Sequence, residues 1–489
     1  MTETPLHTRP RNRLATVVCL CTAGMAAYIV FTVISVFCGE TGGLTLTKYL
    51  AAALLLCSLA AALTRLGQNE TRHVLCLLVT AFALRFLFIL LIDTRPESDF
   101  AMLYEAAKEL AAGNNTLNSS PYFQTWAYQS GYVLFLAFFI RFFGAGLFSF
   151  KVMNCLFSAA TTLLVYLLAR RMASAKAARA AGWIYALYPG TICYCSVLTP
   201  QHLSEMLLLL AVFLFTRPGR TAKQSFADAA VAGAVLSLSN AARPTAIVFV
   251  LALAAYAVVS CFGDRGELRR VLVRTLLVGV CYFLCMSGIS ALVKVSGVNR
   301  NGLSNLLPEW KFIVGLNQSA GGQYNLEDVN QVFHAQDQTQ AAQALERERL
   351  EITVPQFFAL AHQKALLMWG APEADYWAFT GSVCDGLTAV YGEDALVLLA
   401  KVQRITAALY IWIYVLTVLG AFAQARKKQA GEVYLLLALT ALAYFCAHAF
   451  IEIQPRYRTL LYALTFPLTA SGAEWLGFRI IHKSSDRHG

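Results

Sequence analysis

The composition of this chain is that of a membrane protein. It has 489 residues, 58% of them hydrophobic and 14% charged, whereas a soluble domain carries about 25% charged residues. These values exclude a soluble globular protein. In a soluble protein, the net charge of +11 would indicate a nucleic-acid partner. In a membrane protein, positively charged residues instead keep their loops on the cytoplasmic side. We therefore expect no nucleic-acid partner.

Long apolar runs recur along the whole chain. Because lipid offers the backbone no hydrogen-bond partners, such runs must cross it as helices. We predict an all-α integral membrane protein, a polytopic bundle of about 12–13 transmembrane helices. The predicted spans, in chain order, are 14–37, 49–64, 74–92, 149–168, 178–196, 201–216, 226–240, 244–262, 271–292, 405–423, 433–451 and 459–477.

One apolar stretch, residues 128–143, is too short to assign by length, since about twenty residues are needed to cross. If it crosses, every later Arg/Lys-rich segment faces outward, against the positive-inside rule. If it lies in the interface or re-enters, those segments face the cytoplasm. We predict the second arrangement, with both termini cytoplasmic in a cell membrane; whether 128–143 crosses stays open at this point.

Two long polar loops then fall on the outer side. The first, 93–127, carries five acidic and two basic residues. The second, 294–401, carries twelve acidic and seven basic residues. Within the second loop the sequence predicts a helix from Gln338 to Leu350. The loops divide the chain into two N-terminal transmembrane helices (1–73), a membrane core that includes the first loop (74–293), an extracytoplasmic subdomain (294–401), and C-terminal transmembrane helices with a cytoplasmic tail (402–489).

The first outer loop contains an amphipathic helix. Apolar residues recur at helical spacing between 100 and 111, with Ser98 as a predicted N-cap and Gly113 as part of a predicted stop. We expect this helix to lie on the outer membrane surface, with Asp99 in its first turn. The helix dipole favours a first-turn Asp in any protein, so the pattern alone leaves a purely structural role open.

A few charged residues lie within or beside the predicted spans. Arg85 lies inside the third span, where a charge usually faces the bundle interior and has a partner; it could bind an anion or form an internal ion pair. Glu205 lies near the outer end of the sixth span. Three arginines on the outer side could hold a phosphate with the guanidinium fork or simply extend to the interface: Arg243, Arg456 and Arg458. The sequence contains no metal-binding, Walker or GxSxG motif.

Several short motifs occur in an order that resembles a known family. They are Leu84-Arg85-Phe86, Ser98-Asp99-Phe100, Tyr128 to Tyr132, Phe142-Phe143-Gly144, Ala186 to Pro189, Ser204-Glu205, Ala242-Arg243-Pro244, Gly315 to Gly321 and Gln454 to Arg458. With them the chain resembles the GT-C superfamily of membrane glycosyltransferases. It is most similar to the family 39 group of protein O-mannosyltransferases and aminoarabinose transferases with their bacterial relatives. The likeness covers roughly residues 74–262, with islands near 310–328 and 452–470.

The resemblance implies a donor that carries its sugar on a polyprenyl monophosphate. Asp99 matches the acidic residue that acts as general base in the family, although Phe100 and Ala101 stand where several relatives have Glu and Arg. Asp93, at the end of the same span, is the alternative base. The other predicted site residues are Arg243, Arg456 and Arg458 for the donor phosphate, and Arg85, Tyr104, Glu205 and Asn317 for substrate.

Elementary chemistry agrees with this expectation. A phosphate monoester leaves as a stabilised anion, so one carboxylate and a few cations suffice, and a single carboxylate predicts direct displacement with inversion. We expect a mannose-like hexose or a pentose to pass to a glycan, lipid or protein acceptor of the cell envelope on the outer face. No cofactor or metal site is predicted, although a loosely held divalent cation is compatible.

Two other classes of function also fit a multi-pass bundle. One is a secondary transporter or flippase of lipid-linked sugars, and the other is a surface-glycan polymerase or ligase. A transporter typically shows inverted repeats and interrupted helices near the midplane. The sequence shows no such repeat and places its polar residues at one face, so transfer is favoured; neither the sugar nor the acceptor is identified.

Overall fold

The computed structural model describes residues 12–67, 69–262, 265–370, 394–427 and 430–485. Within these ranges every regular element is helical. In chain order the α-helices are α1 Arg13–Thr41, α2 Gly43–Leu63, α3 Glu70–Leu91, α4 Ser98–Ala112, α5 Pro121–Thr125, α6 Ser130–Phe143, α7 Leu147–Arg170, α8 Ala175–Leu187, α9 Pro189–Cys193, α10 Gln201–Phe215, α11 Ala222–Ala242, α12 Ile247–Cys261, α13 Arg265–Val295, α14 Trp310–Gly315, α15 Leu326–Phe333, α16 Gln338–Leu350, α17 Val354–Ala365, α18 Asp394–Arg426, α19 Glu432–Phe450 and α20 Arg458–Ser485.

The predicted all-α polytopic architecture is confirmed. In the described ranges, eight helices are long and apolar enough to cross a membrane, and three shorter apolar helices accompany them. The largest hydrophobic core joins both ends of the chain, because α1 packs along α18 and α18 along α20. The four-part division stays a prediction, and residues 371–393 of the predicted outer subdomain lie outside the described ranges.

One predicted span, 178–196, is wrong as a single helix. Its first part is α8, which ends at Leu187, and its second part is the short α9 followed by a 3-10 turn. The cause is Pro189, since a residue before proline is disfavoured in the helical region. Tyr188 accordingly adopts an extended backbone, with φ −71° and ψ 117°. The chain therefore breaks its helix inside the bundle.

Arg85 stabilises this break from α3. Its guanidinium is fully buried and donates five hydrogen bonds, which use all of its N–H groups. The acceptors are the hydroxyls of Ser158 (2.7 Å) and Thr191 (2.9 Å) and the carbonyls of Ala81 (2.9 Å), Ala186 (3.1 Å) and Tyr185 (3.4 Å). Two of these carbonyls belong to the last turn of α8. Arg85 thus donates hydrogen bonds to backbone carbonyl groups for which lipid has no donor.

The short apolar stretch that contains α6 does not need to cross the bundle. α3 and α7 are antiparallel neighbours: Tyr166 at the end of α7 donates to Glu70 at the start of α3, and Lys151 at the start of α7 pairs with Asp93 just after α3. The intervening chain therefore begins and ends at the same end of the bundle. α6 has 14 residues, about 21 Å, which is short of the roughly 30 Å hydrocarbon core. These contacts support the interfacial or re-entrant arrangement.

α4 is the amphipathic helix that the sequence predicts. Phe100, Leu103 and Ala107 are buried, and the helix packs on α6. It ends at Gly113, whose φ of 99° suits glycine because a Cβ would be strained there. The predicted N-cap Ser98 is wrong by one residue. Glu97 is the N-cap, because its carbonyl accepts the first helical bonds, from Phe100 and Ala101.

The described part of the predicted outer subdomain, 294–370 and 394–401, contains a small hydrophobic core. The predicted helix from Gln338 to Leu350 is confirmed as α16. Together with α14 and α15 it buries a cluster that includes Trp310 and Leu345, against which Trp126 of the first outer loop packs. The two outer loops therefore fold against each other.

Two contacts fasten this subdomain to the membrane helices. The buried ammonium of Lys364 donates to the carbonyls of Gly315 (2.8 Å), Ala449 (3.0 Å) and Ile451 (2.8 Å). At Gly315 the backbones approach so closely that a Cβ would lie 2.3 Å from the Phe450 carbonyl oxygen. The end of α14 is thereby fixed against the end of α19.

If Arg85 serves the fold, Arg85→Leu should lower the melting temperature of the purified chain in detergent, with a loss of about 3–5 kcal/mol, because buried acceptors lose their donors. Arg141→Leu is the matched control, since Arg141 makes a single bond, to the Ala111 carbonyl (2.8 Å). A variant of Arg85 that melts like the unmodified protein and loses only substrate binding would restore the predicted substrate role.

Candidate functional site

A carboxylate and an arginine meet at the end of the bundle that is predicted to face outward, here called the outer end. Asp99 lies in the first turn of α4, and Arg456 lies in the 3-10 turn Pro455–Tyr457 before α20. Asp99 Oδ2 and Arg456 Nη2 are 3.8 Å apart; the Asp99 side chain is 43% exposed and that of Arg456 only 9%. The Arg456 guanidinium also lies over the Phe100 ring, 4.7 Å from its centre. The aspartate is thus accessible beside a buried cation.

A second arginine reaches the same place from α11. Arg243 is the C-cap of α11, and its guanidinium lies 4.8 Å from the centre of the Tyr457 ring. Arg456 lies 5.8 Å from the centre of that same ring. Two guanidinium groups therefore flank one aromatic side chain, next to Asp99. Such a pair can bind a phosphate through planar, multidentate hydrogen bonds.

An ion pair between a buried carboxylate and a partly exposed lysine lies beside these arginines. Glu452, which is 4% exposed, pairs with Lys311 of α14 and accepts a further bond from Gln454 (2.8 Å). Burial opposes ionisation, yet the Lys311 ammonium holds the pKa of Glu452 below its ordinary value. This pair could not be predicted from the sequence, because its partners lie in separate predicted parts of the chain. The only signal was the closeness of Glu452 to the Gln454–Arg458 motif.

The alternative base, Asp93, has a dedicated partner. The buried ammonium of Lys151 donates to its carboxylate at 2.7 Å. This hydrogen bond holds the pKa of Asp93 below its ordinary value, so the carboxylate is a weaker proton acceptor. Of the two predicted bases, Asp99 is the one that the structure brings next to Arg456.

The other predicted site residues are dispersed. Arg458 turns into the bundle, where it donates to the carbonyls of Pro455 (3.4 Å) and Trp369 (3.3 Å). Arg85 lies at the break after α8. Asn317 is buried in the outer subdomain, where it donates to Asp328 (2.7 Å) and accepts from Ser319 and Ala320. These side chains are engaged with the protein itself.

The two remaining predicted substrate residues lie on, or contact, helices that border the charged site. Glu205 is buried at the start of α10 and accepts a hydrogen bond from Thr459, in the first turn of α20. Tyr104 is half-buried on α4, with its ring edge-on to Phe150 and the Lys108 ammonium 5.1 Å from its centre. Both therefore belong to the walls of the outer end.

A glycine allows α6 to reach α11 at this end. A Cβ on Gly131 would lie 1.9 Å from the carbonyl oxygen of Ala241, so the first turn of α6 contacts the last turn of α11 backbone to backbone. Tyr128 precedes this contact and Arg243 follows it. Gly131 thus sets the distance between the first outer loop and Arg243.

In the part of the chain that the structure describes, no group of three or more His, Cys, Asp or Glu side chains is placed to hold a metal ion. The charged groups at this site are the arginines, the lysine and the carboxylates described above.

Comparison with known proteins supports the assignment to a class. Residues 131–290, a third of the chain, match a family model described as dolichyl-phosphate-mannose-protein mannosyltransferase. The match runs from α6 into α13 and includes Glu205 and Arg243. With the all-α membrane fold, it confirms the predicted resemblance to the GT-C membrane glycosyltransferases, without reaching a subgroup. No curated protein matches the chain.

We expect Gly131→Ala to destabilise the protein by about 1–3 kcal/mol, since the added methyl group overpacks the contact. The melting temperature of the purified chain measures this effect. Gly146→Ala is the control, because a Cβ there meets nothing within 4 Å. Equal melting temperatures for the two variants would show that α6 and α11 do not touch in this way.

Proposed function

We propose that the chain transfers a mannose-like hexose or a pentose from a polyprenyl phosphate to a cell-envelope acceptor on the outer face of the membrane. Asp99 acts as the general base, Arg243 and Arg456 bind the donor phosphate, and the anomeric configuration inverts. The membrane glycosyltransferase class supports this proposal. The donor, the acceptor side and the residue roles are our inference.

The observation that carries the proposal is the position of Asp99. It is an exposed carboxylate 3.8 Å from a buried arginine, and a second arginine shares the Tyr457 ring with the first. A base and a pair of phosphate ligands therefore lie together where the apolar helices end. A donor with its tail in lipid and its phosphate at the interface would meet both.

The reaction needs one proton acceptor and a stabilised leaving group. The acceptor hydroxyl attacks the anomeric carbon while its proton passes to Asp99. The bond between that carbon and the phosphate oxygen breaks, and its electron pair leaves on the phosphate. Arg243 and Arg456 stabilise the added charge. One carboxylate at the reacting centre leads to a single displacement, hence to inversion.

Arg456 also explains how Asp99 becomes available. Without donor, the guanidinium faces the Asp99 carboxylate. The donor phosphate, a diester with one negative charge, competes for the same guanidinium. Donor binding therefore loosens the Asp99 contact and leaves the carboxylate free to accept the proton of the acceptor hydroxyl.

Transport remains the rival class of function. A flippase would move the lipid-linked sugar without breaking a bond, whereas a transferase releases polyprenyl phosphate. The polar groups described above lie at one end of the bundle, and the buried Arg85 is fully bonded to the protein. This distribution favours transfer at one face over passage through the midplane.

Asp99→Asn should lower kcat by roughly 10²- to 10⁴-fold, the usual contribution of a general base. The measurement is release of sugar from a radiolabelled polyprenyl-phosphate mannose by the chain in nanodiscs. Asp93→Asn is the matched control and should change kcat far less, because Asp93 is paired with Lys151. If Asp93→Asn lost activity and Asp99→Asn kept it, Asp93 would be the base.

Arg456→Lys should raise the donor KM by about 10- to 100-fold, which corresponds to the roughly 1.5–3 kcal/mol of a hydrogen bond to a charged group. Lysine keeps the charge but lacks the guanidinium fork. The KM is measured with the same donor, and Lys108→Arg, a conservative exchange on the exposed side of α4, is the control. An unchanged donor KM would remove Arg456 from the phosphate site.

A further inference from the structure

A cavity lies next to Arg243 in the chain, since Asn240 and Pro244, on either side of that arginine, both line it. Its volume is about 360 Å³, within the range of small-molecule sites. The residues that line it are Tyr128, Asn240, Pro244, Met286, Leu303, Ser304, Asn305 and Pro308. They come from the start of the α6 region, the end of α11, the approach to α12, the middle of α13 and the chain between α13 and α14.

The walls of this cavity are held by backbone contacts. The Tyr128 N–H donates to the Asn305 side-chain oxygen (3.2 Å), and the Leu306 N–H donates to the Thr125 carbonyl (3.2 Å). On the opposite side, the Leu303 N–H donates to the Ser290 hydroxyl of α13 (3.0 Å). The outer chain is therefore fixed to both the first outer loop and α13, and the cavity is a built feature of the fold.

The lining is uncharged, and half of its residues carry polar groups. None of its eight residues carries a charge, while two are amides, two carry hydroxyls and the rest are apolar. A phosphate or a nucleotide would lack a cation here. A neutral ring with several hydroxyls fits, because amides and hydroxyls bond its oxygens while a tyrosine ring and prolines contact its carbon-bound hydrogens.

One polar atom of the lining points to a ligand directly. The side-chain oxygen of Asn240 is buried, yet it accepts no hydrogen bond from the residues that the structure describes. Buried polar atoms are nearly always bonded, to protein, water or ligand. Asn240 also lies one helical turn before Arg243. A ligand hydroxyl bound to Asn240 would thus lie close to the phosphate-binding arginines.

Tyr128 connects the cavity to the proposed base. Gln129 donates to the hydroxyls of Tyr128 (3.3 Å) and of Tyr122 (3.2 Å). Burial, and then the charge of Asp99, raise the pKa of Tyr122. The tyrosine pair therefore extends from the cavity wall to the neighbourhood of Asp99, so an acceptor seated in the cavity would be near the group that deprotonates it.

We propose that this cavity binds the acceptor, and that the bound part of the acceptor is a saccharide ring. The inference rests on the proposed function and makes it more specific: the acceptor is a glycan or glycolipid rather than a polypeptide. Asn240 and Ser304 supply hydrogen bonds to the ring, while Arg243 and Arg456 hold the donor on the charged side.

The test separates transfer from hydrolysis. The chain in nanodiscs is given radiolabelled polyprenyl-phosphate mannose. An envelope fraction from its own cells, from which sugar donors have been removed, is either added or left out. Label is counted as free sugar, in carbohydrate and in protein. Asn240→Leu removes the amide at nearly constant shape, and Ser304→Trp fills the mouth of the cavity. Ser296→Trp, on an exposed serine after α13 that does not line the cavity, is the control, and all variants are matched by melting temperature.

We expect label in the carbohydrate fraction, with the ratio of transfer to hydrolysis lowered about tenfold in Asn240→Leu and more in Ser304→Trp. The donor KM for hydrolysis should stay unchanged in both. If the donor KM rises as transfer is lost, the cavity binds the donor sugar, and the proposal is overturned. Label in protein, or an unchanged ratio, would also overturn it. Neither hydrolysis nor transfer by the unmodified chain would instead refute the proposed function.

Discussion

The structure of the outer end depends on how the bundle supplies hydrogen bonds to the carbonyl groups of a broken helix. Pro189 ends α8 within the bundle, and lipid cannot bond the carbonyls that the break leaves. Arg85 supplies the missing donors from α3. The chain after the break then returns to α3, where the hydroxyls of Ser196 and Thr94 are 2.8 Å apart. Since α4 begins a few residues after Thr94, the position of Asp99 follows from the same arrangement.

The arginine that faces Asp99 is placed by a different part of the chain. The Lys364 ammonium donates hydrogen bonds to carbonyl groups at the ends of α14 and α19. The Glu452 N–H donates to the Lys311 carbonyl at 2.8 Å. Both contacts fix the segment that leads to Arg456. The predicted outer subdomain thus helps to build the charged site, and Asp99 and Arg456 are positioned by contacts in different parts of the chain.

Local sequence patterns predicted what depends on local physics. The periodicity of α4, its glycine end, and the bounds of α16 follow from spacing and capping, and the structure confirms them. The role of Arg85 could not be predicted in this way, because a buried arginine has the same local sequence whether it binds substrate or carbonyl groups. Likewise, Asn317 and Arg458 resemble ligands in sequence, but their partners come from chain segments that only the fold brings near. The pairing of Lys311 with Glu452 needed the same long-range information.

The uneven burial of the charged groups also bears on the proposed mechanism, in which Asp99 is the base and Arg456 binds the donor phosphate. A base that must receive an acceptor proton needs water-facing access, and Asp99 is 43% exposed. A phosphate ligand gains strength where water is excluded, and Arg456 is largely buried. Arg456 also has Glu452 nearby as a second anion, and the charge of that residue is neutralised by Lys311. If Glu452 lost this lysine, it would compete with phosphate for Arg456. Under the proposed function, this ion pair preserves the affinity of Arg456 for the donor phosphate, which gives a physical reason for holding Lys311 and Glu452 together beside it.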